Sequence, residues 1–221
     1  MKIAYQGIKG SYSESCAQEM YPDCETIACK TFDDVFNKAN EDGEVRAIIP
    51  ESNKTTGNIG VEYLIFKYRL NIYQEKFYPI HHHLLGLPGT KIEDVKNVFS
   101  HAQGLSQCSN FIKKNNFVEN VRADTAGSAK YVSESKNKNE AAIASKQSAK
   151  IYNLDILASN IEDEKENVTR FLLMGKPVMQ PELKKDKYIT SFLFKLKSKP
   201  AALYSALAGF AIQGVNLTKL Q

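Results

Sequence analysis

No two of the chain's four cysteines, Cys16, Cys24, Cys29 and Cys108, have C-x-x-C spacing. A zinc or dithiol-redox site is therefore not indicated, and reduced, structural thiols are expected. No apolar run approaches the roughly 20 residues that a membrane span needs. Residues 1–7 lead straight into a strand and a glycine turn and lack the apolar stretch of a signal peptide. The expectation is a cytoplasmic protein with no membrane partner. Lys and Arg are not gathered into a stripe; they alternate with Asp and Glu, so the net charge of +4 reads as solvated faces and not as a nucleic-acid surface.

What the chain does have is ordinary globular composition. Its 221 residues suffice for one large domain or two small ones, and 43% apolar with 24% charged residues allow a buried core. Short apolar runs alternate with helical stretches, which implies an α/β fold. Strands are expected over 3–6, 46–50, 98–101, 121–123, 141–144 and 169–174, with a long extended stretch over 71–86 broken by Pro79. Helices are expected over 11–20, from an N-cap at Thr31 through Asn40, and over 57–67, 104–114, 126–134 and 146–152. Two prolines and a lysine run over 176–187 read as a linker, placed at 178–187. Beyond it come an extended run over 188–196, a helix over 201–213 opened by Pro200 and stopped by Gly214, and a new strand from Val215. About 35 residues are few for a domain, so the sequence is expected to stop inside a C-terminal module.

Five polar runs stand between strands and helices. In Gly7-Ile8-Lys9-Gly10-Ser11-Tyr12-Ser13 the free N–H groups at a helix start suit an anion; the alternative is a tight turn with Ser11 as cap. The spacing is not G-x-G-x-x-G, and no acidic ribose partner is evident, so a dinucleotide is not expected. Pro50-Glu51-Ser52-Asn53-Lys54-Thr55-Thr56-Gly57 lies where open α/β sheets place ligands, or is a solvated loop opening a helix. Ser100-His101-Ala102-Gln103 offers an acid or base in His101 and an orienting amide in Gln103; His101 could equally be a structural hydrogen-bonding residue. Asp124-Thr125-Ala126-Gly127-Ser128 offers a cap and small residues beside a ligand. Glu166-Asn167-Val168-Thr169-Arg170-Phe171 pairs the neutral hydroxyl of Thr169 with a guanidinium fork, or is an edge strand carrying a surface arginine. The run His81-His82-His83 does not suit a metal, because neighbouring strand residues face opposite sides.

In this order, these runs resemble the prephenate dehydratase family. Thr169-Arg170-Phe171 is similar to its Thr-Arg-Phe motif, and Ser100-His101-Ala102-Gln103-Gly104-Leu105 to its Ser-His-Pro-Gln-Ala-Leu run. Residues 7–13 resemble its Gly-Pro-x-Gly-Thr-Phe-Ser opening, and Asp124-Thr125-Ala126 its Thr-Ala helix start. Residues 191–220 resemble the first strand, helix and second strand of an ACT domain, with Pro200-Ala201-Ala202-Leu203 standing for Pro-Gly-Ala-Leu and Asn216-Leu217-Thr218-Lys219 for Asn-Leu-Thr-Lys. The chain departs from the family's Pro-Ile-Glu-Asn-Ser-x-x-Gly run: Ser52 stands for the glutamate, Lys54 for the serine, and a carboxylate appears one place early at Glu51.

The resemblance implies a two-lobed α/β domain built like a type 2 periplasmic binding protein, followed by a partial ACT module of ferredoxin-like α+β fold. Lobe one would take residues 1–77 and 170–180, lobe two 78–169, the dehydratase domain ending near 177 and the ACT part covering 188–221. It implies a carbon–oxygen lyase that takes prephenate to phenylpyruvate, water and CO2 in phenylalanine biosynthesis, without a cofactor or metal. Thr169 would be the catalytic donor, and Arg170, Phe171, Asn53, Ser11, His101, Gln103 and Thr125 would bind substrate. Phenylalanine would act as effector at Ala201, Ala202, Leu203 and Asn216, in a homodimer or homotetramer of the full-length protein. Arogenate as substrate, or a non-catalytic ligand sensor using the same cleft, are the alternatives that the altered run at 51–54 leaves open.

Overall fold

The computed structural model describes residues 1–178, 190 and 194–218. The chain forms two compact units, Met1–Leu183 and Lys184–Gln221.

The first unit contains two sheets. Its opening half runs β1 (Lys2–Gln6), α1 (Tyr12–Met20), β2 (Glu25–Cys29), α2 (Phe32–Glu41), β3 (Val45–Asn53), β4 (Gly57–Asn58), α3 (Glu62–Tyr68) and β5 (Asn71–Pro79). The chain then crosses to a second sheet: β6 (His83–Gly86), β7 (Asn97–Ser100), α4 (Ala102–Ser106), α5 (Ser109–Lys114), β8 (Val118–Val121), α6 (Thr125–Ser135), β9 (Glu140–Ala144), α7 (Lys146–Ile151) and β10 (Asp155–Ala158). It returns as β11 (Val168–Gly175), which enters the first sheet antiparallel between β3 and β5. The first sheet has the order β2-β1-β3-β11-β5, with β4 on β3; the second has the order β10-β6-β9-β7-β8.

Both faces of each sheet are covered, so alternate residues of one strand enter different cores. Ile3, Tyr5, Ile48, Phe171 and Leu173 pack under α1 against Cys16 and Ala17. Their strand neighbours Ala4, Ala47, Ile49, Leu172 and Met174 pack under α2 and α3 against Val35, Phe36 and Leu64. In the second sheet Leu84, Val98 and Ile143 meet Leu105 and Ile112, while Leu85, Ala142 and Ala144 meet Ala129 and Val132. Helix starts follow local chemistry: Thr31 and Asp34 form a capping box on α2, Asp124 caps α6 and Ser145 caps α7. The cysteines are free, and burial pushes the Cys16 thiol up to about 12.

Several elements differ from expectation. The strand expected to end at 50 continues through Glu51, Ser52 and Asn53, because β11 pairs with it there. The helix expected from 57 starts at Glu62, since Gly57–Asn58 folds back on β3 first. The helix expected over 104–114 is two short helices, and the strand expected at 121–123 lies at Val118–Val121. Strands β2 and β10 were not anticipated.

In the second unit α8 (Ala202–Ile212) is the one helix among the described residues, and none of its residues is buried. Ala201 precedes it in the left-handed region, φ 60°. Val215, Asn216 and Leu217 form no strand, in contrast to the expectation from Val215. The linker over 179–187, the run at 188–189 and 191–193, and Lys219 lie outside the described residues.

Candidate functional site

The carboxyl ends of parallel strands are where both sheets place their polar side chains. In the first sheet these are the turn after β1, with Gly10 and Ser11, and the end of β3 at Asn53; antiparallel β11 begins at the same edge with Thr169. In the second they are His101 after β7, Thr125 beyond β8 and Ser145 after β9. The two edges meet. Gln103 Nε2 donates to Thr56 Oγ1 and Gln107 Nε2 to Thr55 Oγ1, both at 2.8 Å. On the other side Ser145 and Ser148 hydroxyls donate to the Gly10 carbonyl at 2.7 and 2.9 Å, and Tyr152 donates to the Lys9 carbonyl at 2.7 Å. Gly10 (φ +90°) is required here: a Cβ would stand 2.7 Å from Ser148 Oγ and 3.1 Å from its Cα.

Thr169 and Asn53 lie opposite each other in the β3–β11 register and are almost fully buried. Asn53 Oδ1 collects donors from its own chain: Thr55 N at 2.9 Å, Thr55 Oγ1 at 2.6 Å, Thr56 N at 3.2 Å and Thr56 Oγ1 at 3.3 Å. Two of these are backbone N–H groups, which can only donate, so the amide cannot be turned round. Asn53 Nδ2 must then face Asn167 Oδ1 (2.8 Å) and Thr169 Oγ1 (2.9 Å). Thr169 thereby accepts a hydrogen bond from Asn53 and keeps its own O–H to give away. The same logic turns the Asn167 amide, whose buried Nδ2 has no partner.

Other expected site residues are placed differently. Arg170 is not beside Thr169: it points from the opposite face of β11 and is held by Glu75 at 2.8 Å and Glu51 at 3.2 Å. Glu51 has room to turn there because the β3–β11 register shifts between Arg170 and Phe171. Phe171 is a core residue, 2% exposed and edge-on to Tyr78, so its ring is not available to a ligand. Lys54 is paired with Glu166, whose carboxyl it holds below the usual range. At the glycine turn several N–H groups are taken within the protein: Gly7 N donates to the Cys29 carbonyl, Ser11 N to the Ile8 carbonyl and Gly10 N to the buried Glu14 carboxylate at 2.6 Å, while Ser11 Oγ accepts from Glu14 N. His101 is exposed and caps α4 through Nδ1. A hollow of about 370 Å3 lined by Val121, Arg122, Ala123, Asp124 and Gly127 opens at the start of α6, beside Thr125.

Asn167, Thr55, Gln107 and His82 were not anticipated as part of this arrangement. Their partners lie up to 114 positions away in sequence, and no local spacing signals such a bond. His81 and His82 precede β6 and turn to different partners. His81 Nδ1 meets Glu162 at 2.8 Å, and His82 meets Tyr12 and Gln107.

Two α/β lobes joined by crossing chains, with polar side chains of both gathered where their sheet edges meet, define a two-lobed α/β protein. The chain belongs to the prephenate dehydratase family. The family's sequence model, described as prephenate dehydratase, matches residues 3–178. Arogenate dehydratase 2 of Petunia hybrida is 41% identical over 222 residues, covering all of this chain and 56% of that protein. Arogenate dehydratase/prephenate dehydratase 1, chloroplastic, of Arabidopsis thaliana is also 41% identical, with the same coverage of both. The chain thus spans about half the length of the curated relatives it matches. A solved prephenate dehydratase of Arthrobacter aurescens, in complex with L-Phe, has a TM-score of 0.87 at 24% identity over all of this chain and 75% of that one, which shows the shared fold. The expectation of a cytoplasmic protein is corrected by these relatives: Arogenate dehydratase/prephenate dehydratase 1 and 2 of Arabidopsis thaliana are chloroplastic by name.

Proposed function

We propose that the chain carries the dehydratase site for prephenate or its amino counterpart arogenate. The reaction removes the ring hydroxyl as hydroxide, which takes up a proton to become water. It also removes CO2, whose C–C electron pair passes into the ring and completes the aromatic system. The product is so favoured that the protein has mainly to orient the substrate and assist the departing hydroxide. The observation that carries the reading is the hydrogen bond from Asn53 Nδ2 to Thr169 Oγ1. It occupies the acceptor side of Thr169, so the hydroxyl stands ready as a donor to a leaving oxygen. An alcohol is too weak an acid to surrender its proton outright, so Thr169 acts by a positioned hydrogen bond.

Ser11, His101, Gln103 and Thr125 occupy the facing edges and are proposed substrate contacts. Arg170 and Phe171 are not among them, because one is ion-paired on the far face and the other is in the core. Arogenate is favoured as a second substrate by the names of the 41% identical relatives. Phenylalanine as effector at Ala201, Ala202, Leu203 and Asn216, in an ACT-like module, draws support from the L-Phe complex of the Arthrobacter protein. Assembly as a homodimer or homotetramer belongs to the same proposal.

The test is turnover of prephenate, followed at the phenylpyruvate absorbance, and of arogenate, followed as phenylalanine. Thr169→Val is expected to lower kcat about 100-fold with an unchanged circular dichroism spectrum. Full turnover by the folded variant, or none by the native chain on either compound, overturns the proposal.

A further inference from the structure

His82 lies on the crossing from β5 to β6, away from every motif that suggested the site, and it is 2% exposed. Its backbone is pinned to the return crossing: His82 N donates to Glu162 at 2.9 Å, and its carbonyl accepts from Ile161 N at 3.0 Å. Its ring is held at both nitrogens. Tyr12 Oη, from the first lobe, stands 2.8 Å from Nδ1, and Gln107 Oε1, from the second, stands 2.9 Å from Nε2.

The bonds beyond Gln107 lead to the site. With Gln107 Nε2 donating to Thr55 Oγ1 at 2.8 Å, Gln107 Oε1 is left as an acceptor, so His82 Nε2 must carry a hydrogen. Burial pushes the imidazole pKa down, which keeps the ring neutral and leaves Nδ1 bare on the side of Tyr12, whose single hydroxyl hydrogen also faces the His81 carbonyl at 2.9 Å. Thr55 Oγ1 donates in turn to Asn53 Oδ1 at 2.6 Å, and Asn53 Nδ2 donates to Thr169 Oγ1 at 2.9 Å. Every bond from His82 to Thr169 then runs in one direction, and the chain passes through the crossing and both lobes. In such a chain each donor polarises the next.

We infer that His82 is a positioning residue for the dehydration: by fixing Gln107, and through it Thr55 and Asn53, it sets the geometry of the Thr169 hydroxyl when the lobes are together. This rests on the proposed role of Thr169. It separates His82 from a mere core histidine, whose loss would cost stability without acting selectively on the chemical step.

The experiment compares native protein, His82→Leu, His82→Gln, Gln107→Leu and the double variant His82→Leu/Gln107→Leu in kcat and KM on prephenate and arogenate. For His82→Leu, kcat is expected to fall about 10- to 100-fold with KM changed less than about threefold. His82→Gln, whose amide can still donate to Gln107, recovers most of that loss. Gln107 is only partly buried, so Gln107→Leu breaks the same link should His82→Leu fail to fold. The double variant is expected to be no slower than the worse single one, because both cut one chain. Native kcat in folded His82→Leu or Gln107→Leu, or losses that multiply in the double variant, overturn the inference while leaving the dehydratase reading intact. Absence of turnover in the native protein overturns both. Nitrogen-15 NMR of the native imidazole is expected to show the hydrogen on Nε2; a hydrogen on Nδ1 overturns the stated direction of the chain.

Discussion

Exchanging one atom of Asn53 reverses the hydrogen bond that prepares Thr169. Asn53→Asp keeps the shape of the side chain and the oxygen that collects Thr55 and Thr56, but replaces the donor facing Thr169 with a second carboxylate oxygen. Thr169 then has to donate inward. Asn167 adapts, because its amide can turn and offer the Nδ2 that has no partner in the native protein. The fold therefore survives while the hydroxyl hydrogen points the wrong way. Turning it outward again means breaking a hydrogen bond to a charged group, about 1.5–3 kcal/mol. With 1.36 kcal/mol per tenfold in rate, kcat is expected to fall about 10- to 150-fold. Burial raises the pKa of the introduced carboxyl, and once protonated it can donate to Thr169 as the amide did. Relative to native protein, activity of the variant should therefore recover as pH falls. Steady-state kinetics across pH, with thermal melts at each point, make the measurement. A folded Asn53→Asp protein with native kcat at neutral pH would refute the orientation argument, and so would a deficit that deepens as pH falls.

Gly10→Ala places a Cβ against Ser148 at a backbone angle that disfavours side chains, so a stability loss of about 1–3 kcal/mol is expected, read from the urea midpoint. Arg170→Met takes the cation from the 5% exposed Glu51, which keeps the Ser52 hydroxyl as a donor, and should cost on the order of 3 kcal/mol; the folded fraction at low temperature should keep its KM, since the guanidinium is not at the seam. Burial holds His82 and His83 below the ordinary value of 6.5. The unfolded chain takes up those protons first as pH falls, so the thermal midpoint should be level above about pH 6.5 and decline below it. A midpoint that rises on acidification through this range contradicts the assignment.

The hydrophobic strands and the capped helices were legible because their signals are local. Thr31, Asp124 and Ser145 mark helix starts within three residues of the groups they cap. Strands β2 and β10 were not legible, because each pairs with a single neighbour at a sheet edge and needs little apolar sequence. The run at 50–53 reads as a loop on composition; only β11, arriving from more than 110 positions later, makes it a strand. Of the site, Thr169 and Asn53 could be singled out, but not the bond between them. Arg170 was misplaced for a related reason: adjacency in sequence suggested a shared site, and alternation in the strand sends it to the other face.

The insertion of β11 between β3 and β5 has a consequence for how the chain acquires its structure. Thr169 and Asn53 are joined across 116 positions, whereas the sheet between them in sequence uses only strands from Leu84 and its neighbours through Ala158. During synthesis the second sheet has all its strands before the first can close. Until β11 emerges, β3 leaves an edge unpaired and β5 lacks its strand partner, and Ile48 and Ile49 lack the β11 side chains that share their cores. Closing so long a loop is slow relative to local pairing, so the half that begins the sequence is the half that finishes folding last. The hydroxyl on which the chemistry is proposed to depend comes into place in that final step.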